Sequence, residues 1–493
     1  DPRGDGQQVL RGNYRMAFDR INTFLPSSAI FQSIPGLTTS VVNTSFGQAG
    51  GRLRDGLPTI FPDSTPSEFV QPPPRSSSLI HVMDTEFQTP ITHAWAISYQ
   101  RELFRGTLFE IAYVGRRAEH LFGAYDANQV KFRENGFLDA FNIVKAGGES
   151  DLINQLAGPD TRRAATETGS QMMRRLFADE LANNAVAAVA ASFGSRIQSG
   201  QQLTELAGLG PFFFFNYPQF LGGMRVIDSE DYSRYHALEL KLERRFNNGY
   251  SYLVGYTFSR SKDTRSYDPA FTVVSTGANQ SASSTPFDIN NRDLNYALSD
   301  FDRPHVFQAQ AVYELPFGEG KPFLGNVSRV TDLLVGGWTL SGQFVAQSGR
   351  PMTVYSGANT FSNINQTPAN CDGCSSDFGT IHEEVTSGGD ALVWYLTPEE
   401  RGRFSIPAPG EFSNVGRNFF RGPGGYNLNL SLAKRTRTVG DQILEIRADG
   451  TNVLNNPTFG FPTNTFTSSL FGRIRNTVIS GSRKIMLGVK YYF

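Results

Sequence analysis

The chain has 493 residues with 45 basic against 46 acidic side chains, so its charge gives no draw toward nucleic acid. Charged residues make up only 18%, aromatics 12%, and Gly (49) and Phe (40) are abundant. No run of about eighteen apolar residues occurs, which excludes a transmembrane helix and leaves a closed β-barrel as the integral membrane form open to this chain.

The first residues, Asp1-Pro2-Arg3-Gly4-Asp5-Gly6, carry neither a basic n-region nor an apolar h-region. A leader is therefore expected to have been removed, or the chain to be the C-terminal piece of something longer. The Arg3-Gly4-Asp5 tripeptide reads more simply as a turn-rich start than as an adhesion motif. The first strand is expected near 8–19. After a long segment at 20–91, strands are expected at 92–102 and 107–117, joined by a tight turn at Arg105-Gly106. Trp95, Ile97 and Tyr99 oppose Ala96, Ser98 and Gln100, and Phe109, Ile111 and Tyr113 continue the apolar face.

A large insertion fills 118–232. Near 134–207 its apolar spacing turns helical, in "NGFLDAFNIV" and "RRLFADELANNAVAAVAASF", and reads either as a ligand-binding lid or as an elaborated loop on the rim. The run Phe212 to Phe215 reads as a buried anchor, with an exposed ligand platform as the alternative. In "HALELKLERRF" (strand 233–246), Leu238, Leu240 and Leu242 alternate with Glu239, Lys241 and Glu243. Three successive charges on one face would be costly in a dry core and are natural in a wet lumen. After the hairpin signal Asn247-Asn248-Gly249, Tyr252, Val254, Tyr256 and Phe258 make the apolar face of strand 250–261.

"SRSKDTRS" suits a strand end at a lipopolysaccharide-rich surface or a solvated rim. The long segment 262–303 crowds Asp288, Asn290, Asn291, Asp293, Asn295, Asp300 and Asp302. Calcium between Asp288 and Asp302 is one reading, but the EF-hand spacing is missing and Asx turns explain the cluster as well. No cofactor is otherwise expected. Strands follow at 304–315 and 336–348, with a medium link at 316–335. Loop 349–424 holds Cys371 and Cys374 in a loop-like setting, which favours a small stapling disulfide over zinc or a redox site. Strands 425–436 and 441–453 set Tyr426, Leu428, Leu430, Leu444 and Ile446 against polar partners, among them Glu445, Arg447 and Asp449. The chain ends on a strand at 483–493 whose apolar face is Ile485, Leu487, Val489, Tyr491 and Phe493.

The connections sort themselves. Tight turns near 103–106, 247–249 and 437–441, with the link at 316–335, alternate with long segments at 20–91, 118–232, 262–303, 349–424 and 454–482. Short on one rim and long on the other is the pattern of an outer-membrane barrel with periplasmic turns and extracellular loops. The fold class expected is therefore all-β, an antiparallel transmembrane barrel with long extracellular loops and one helical insertion, placed in the outer membrane. Glu239, Lys241, Glu243, Glu445, Arg447 and Asp449 are expected to face the lumen. Leu238, Leu240, Leu242, Tyr252, Val254, Tyr256, Phe258, Ile485, Leu487, Val489, Tyr491 and Phe493 are expected to face lipid.

The six histidines are scattered, and no HExxH, P-loop, G-x-S-x-G or dinucleotide motif is present, so no enzyme is read. No fixed-period repeat suggests a solenoid.

The segments "SYQRELFRGTLFEIAYVGRRAEHLF", "YSRYHALELKLERRFNNGYSYLVGYTFSRSKD", "SDFDRPHVFQAQAVYELPFGEGK", "GGWTLSGQFVAQSGRPMTVYSG" and "LEIRADGTNVLNNPTFG" resemble the C-terminal barrel of TonB-dependent outer-membrane receptors. The resemblance is narrower still to the Oar-like group, which carries an N-terminal carboxypeptidase-regulatory-like domain. It implies a 22-stranded barrel occluded by a plug and driven by an inner-membrane TonB complex, of which this chain would be the last ten strands. The plug and regulatory domain, and the residues that contact TonB, would lie outside this sequence. Terminal Phe493 resembles the signal read by the outer-membrane assembly machinery. The expected partners are outer-membrane lipid and lipopolysaccharide, TonB through the plug, and a solute bound by the loops. The rival reading is a structural or adhesive surface protein assembling with other chains.

Overall fold

The computed structural model describes residues 7–20, 80–104, 106–266, 285–385, 387–475 and 482–493, with Gly4 and Arg75. The Arg3-Gly4-Asp5 reading, nearly all of segment 20–91 and parts of 262–303 and 454–482 lie outside the described residues. Ten long strands form one antiparallel meander: β1 (Gln8–Phe18), β2 (Ile91–Phe104), β3 (Thr107–Asp126), β4 (Met224–Asn247), β5 (Tyr250–Asp263), β6 (His305–Glu314), β7 (Trp338–Gln347), β8 (Gly425–Arg437), β9 (Ile443–Thr451) and β10 (Lys484–Tyr492). Each pairs with the next in chain order, and β1 and β10 are the two edges of the sheet. The backbone groups of the inner strands thus bond within the sheet, as lipid requires.

Local chemistry explains the turns. At the β4–β5 hairpin Asn248 and Gly249 take φ values of +54° and +84°, the left-handed pair that a two-residue turn demands and that Asn-Gly supplies at little cost. Between β2 and β3, Gly115 faces Trp95 so closely that a Cβ there would fall on the indole ring.

The hairpin β3–β4 departs from expectation. β3 was expected to end at 117 and β4 to begin at 233, yet they run to Asp126 and from Met224, so the helical insertion spans 127–223 rather than 118–232. The reason is local: register shifts at Ala118/Leu121 and Leu121/Gly123 break the period of two while the ladder continues. A short strand, Ile80–Met83, adds to this projecting hairpin in parallel with Met224–Ile227.

The insertion folds into helices α1 (Phe137–Lys145), α2 (Asp151–Ala157), α3 (Gly169–Leu176), α4 (Ala178–Ala182) and α5 (Val186–Gly194), as its spacing indicated. Ser150 caps α2, and Thr168 with Gln171 forms a capping box on α3. Phe137, Phe141, Ile153, Leu156, Met172, Val189 and Phe193 make its core. Phe214 and Phe215 are buried in it, with the Phe214 ring edge-on to Phe137 at 5.0 Å, while Phe212 stays exposed. A second core, with Met352, Val354, Leu396, Phe404, Phe420 and Phe471, lies within 349–475. On the opposite rim the link after β6 carries α6 (Arg329–Val335).

Candidate functional site

Because side chains of directly paired residues share a face, the register carries each face across the sheet. Lys241 stands beside Gly255, then Gln308, Val345 and Asn427. One step away, Glu243 begins the row Leu253, Gln310, Gln343 and Asn429. The next row runs through Ser251, Val312, Ser341, Ser431 and Asp449. Glu239, Lys241, Glu243, Glu445, Arg447 and Asp449 are thereby brought to one face, in two charged groups. On β4, Lys241 pairs with Glu243 at 2.6 Å; on β8 and β9, Arg435 meets Glu445 and Arg447 meets Asp449, each at 2.7 Å. Between them the face is uncharged and mixed, and Ser251, Gln310, Ser341, Gln343, Asn429 and Ser431, with Leu253 and Val312 among them, line a groove of about 710 Å³ that reaches Glu243 and Asp449.

The opposite face carries Leu238, Leu240, Leu242, Tyr252, Val254, Tyr256 and Phe258. At the edge strand, Leu487, Val489 and Ile485 are 82%, 69% and 66% exposed, and Phe493 follows the last paired residue. Met486 on the other face is 64% exposed as well, because this is an edge strand; what distinguishes the face of Leu487 is its apolar row.

Over the long-loop rim the loops are tied to one another by arginines paired with buried aspartates, a feature that residue spacing had not revealed. Arg417, fully buried, donates from Nη2 to the Asp263 carboxylate and carbonyl at 2.5 Å and from Nε to Asn295 O at 2.9 Å. Arg421 meets Asp302 at 2.7 Å, Arg265 meets Asp231 at 2.5 Å, and Arg292 meets Asp228 at 2.6 Å. These pairs stitch loop 348–424 to the end of β5 and to loop 264–304, and loop 264–304 to the start of β4. The helical insertion joins them: Gln129 donates to Phe287 O and Ser362 Oγ, Ala187 N to Asn359 O, and Asn184 to Pro407 O. Burial pushes the Asp228 carboxyl up to about 6, even beside Arg292. At the loop end of the β3–β4 hairpin, Arg225 Nη1 donates to His81 Nε2 at 2.8 Å. Burial, reinforced by Arg225, lowers the His81 pKa to about 4.

"SRSKDTRS" is therefore split. Asp263, Thr264 and Arg265 are buried in the cap network rather than solvated, whereas Arg260 is exposed. In the Asp288–Asp302 segment, Asp288 caps Asn290 N, Asn295 caps Phe287 N, Asp293 accepts from Tyr232, and Asp302 pairs with Arg421. Among the described residues, no group of three or more His, Cys, Asp or Glu side chains is arranged to hold a metal ion. Cys371 and Cys374 are joined, with Cα atoms 5.8 Å apart and Gly373 turning the chain between them at φ +62°.

The family model described as outer membrane beta barrel domain matches residues 1–486. No curated protein matches the chain. Among solved structures, the outer membrane transporter YddB of Escherichia coli is similar at 10% identity and a TM-score of 0.34, over 84% of this chain and 34% of that one. P. aeruginosa FpvA, solved with bound pyoverdines, is similar at 8% identity and a TM-score of 0.30, over 82% of this chain and 27% of FpvA. The P. putida toluene transporter TodX follows at 9% identity and a TM-score of 0.17, over 74% and 54% of the two chains. The chain thus spans about a third of the length of the first of these structures.

Proposed function

Because the chain belongs to the outer membrane β-barrel domain family and lies in the outer membrane, crossing it by strands, we propose that it is barrel wall and outer cap of a TonB-dependent receptor that admits a solute through a plugged lumen. The observation that carries this reading is the two-sided sheet: one face lined by Leu, Val, Tyr and Phe, the other mainly by charged, amide and hydroxyl side chains with Leu253, Val312 and Val345 among them, and the long loops knitted together over one rim. A wall of hydroxyl and amide groups, with a few aliphatic side chains among them and charged groups on either side, suits a surface against which a folded plug seats. The cap, being held by buried ion pairs rather than left as separate loops, offers a preformed outer surface for a solute. The resemblance of the strand segments to TonB-dependent receptors of the Oar-like group supports the coupling.

The test is depletion of solutes from defined medium by cells carrying the full reading frame, with and without the TonB complex. Selective depletion that requires TonB is expected. Depletion that persists without it overturns the coupling. Cell clumping that depends on the chain, with no depletion at all, would favour the adhesive surface protein.

A further inference from the structure

On the face that carries Lys241 and Glu243, the register brings uncharged hydrogen-bonding groups together. Gln310 on β6 stands directly opposite Gln343 on β7, and Gln343 opposite Asn429 on β8, so three amides share one row. One step toward the cap are Gln308 and Asn427, with Val345 between them; one step toward the turn rim are Ser341 and Ser431, beside Val312. From the Ser251 row to the Thr257 row, β5 to β8 carry no charged side chain on this face. Adjacent strands lie about 4.8 Å apart and alternate residues about 6.7 Å, so one extended molecule can span several of these groups.

The charged groups on either side are spent on one another, Lys241 on Glu243, Arg435 on Glu445 and Arg447 on Asp449. The amides between them are not. Among the described residues, none hydrogen-bonds to the side chain of Gln308, Gln310, Gln343 or Asn427, and Asn429 spends one acceptor on Asn452 N at 3.0 Å. Gly255 leaves room for this arrangement, since a Cβ there would come within 3.3 Å of the Gln308 amide nitrogen. Each amide offers two donors and two acceptor lone pairs, and each serine hydroxyl one donor and two lone pairs. The groove of about 710 Å³ over Gln310 and Gln343 shares Asn429, Asp449 and Thr451 with one of about 560 Å³ over Gln347 and Asn427, so the trough continues toward the cap.

We infer that Gln308, Gln310, Gln343, Asn427 and Asn429 form a track for an uncharged, polyhydroxylated solute with the chemistry of a neutral oligosaccharide. Neighbouring hydroxyls donate and accept at once, as the amides do, and the C–H faces of such a solute meet Leu253, Val312 and Val345. A multiply charged solute meets only ion pairs that are already closed, and would lose hydration on this panel without a counter-charge. Each hydrogen bond exchanged against water nets little, which suits passage rather than retention. The inference rests on the transport reading proposed above and names its substrate class.

The test uses cells carrying the full reading frame, in medium holding neutral oligosaccharides from starch, cellulose, mannan and dextran beside anionic oligogalacturonates and cationic oligochitosan. Depletion of each is followed by mass spectrometry, with and without the TonB complex. TonB-dependent depletion of a neutral member is expected. The variant Gln308→Ala/Gln310→Ala/Gln343→Ala removes no intramolecular hydrogen bond and should slow that depletion at least about tenfold. The same positions changed to Met keep the side-chain volume and should show the same loss, while Arg329→Gln on the turn rim should not; heat-modifiable migration checks that each variant folds. Undiminished neutral depletion in the Met variant overturns the track. Depletion confined to the charged pools, or to other solutes of the defined medium, overturns the substrate class and leaves the transport reading standing. No TonB-dependent depletion in either medium sinks the transport reading itself.

Discussion

His81 and Arg417 illustrate what single side chains contribute. The folded protein keeps His81 neutral down to about pH 4, whereas an unfolded histidine titrates near its ordinary value. Between those values the unfolded state binds more protons, so the contribution of His81 is complete above about pH 6.5 and is lost as pH falls toward 4. Protection factors at 80–84 and 224–228, which divide out the intrinsic pH dependence of exchange, should fall between pH 7.5 and 5 in the wild type, and His81→Gln should flatten that dependence; an unchanged profile would remove His81 from the account. Arg417→Met leaves Asp263 buried without its cation, at a cost of about 3–5 kcal/mol to the cap. Faster exchange is expected at 285–303 and 414–421 while heat-modifiable migration persists, and adding Asp263→Asn should recover part of the loss.

At the scale of one strand, the two faces of β4 differ in what they tolerate. Leu240→Arg should lower folding stability in bilayers by about 2–4 kcal/mol if it faces the hydrocarbon. Lys241→Gln, one residue away on the other face, should cost well under half of that. Titrating refolded bilayer samples with denaturant measures both, and reversed magnitudes would exchange the lipid and lumen faces. The period of two made this strand legible because its leucines and charges alternate without a break. The same rule failed from Ala118 to Gly123, where bulges shift the register and the Asp228 and Asp231 carboxylates crowd Gly123.

For the whole molecule, the question is what β1 and β10 meet. The sheet places them at its two ends, with Tyr14 and Leu487 65% and 82% exposed. Open edges cannot persist in hydrocarbon. If this sheet forms part of a larger barrel, a cysteine pair at Tyr14→Cys and Leu487→Cys should remain unbridged in the refolded chain. The directly paired positions Ala448→Cys and Leu487→Cys should bridge readily. A β1–β10 bridge at the control's yield would mean that ten strands close by themselves.

The residues alone determined the ten strands, their alternating faces, the sorting of short turns from long loops and the helical nature of the insertion. Those properties follow from local periodicity and turn chemistry, which act over a few residues. Tertiary structure decided the rest. Asp263 and Arg417 lie 154 positions apart, and Arg421 finds Asp302 across 119. Nothing in either neighbourhood marks such residues as partners, since a loop aspartate that is buried and one that is solvated read alike. The amide row of Gln310, Gln343 and Asn429 is likewise invisible until the register aligns three strands, because each residue by itself is an ordinary polar position on a strand.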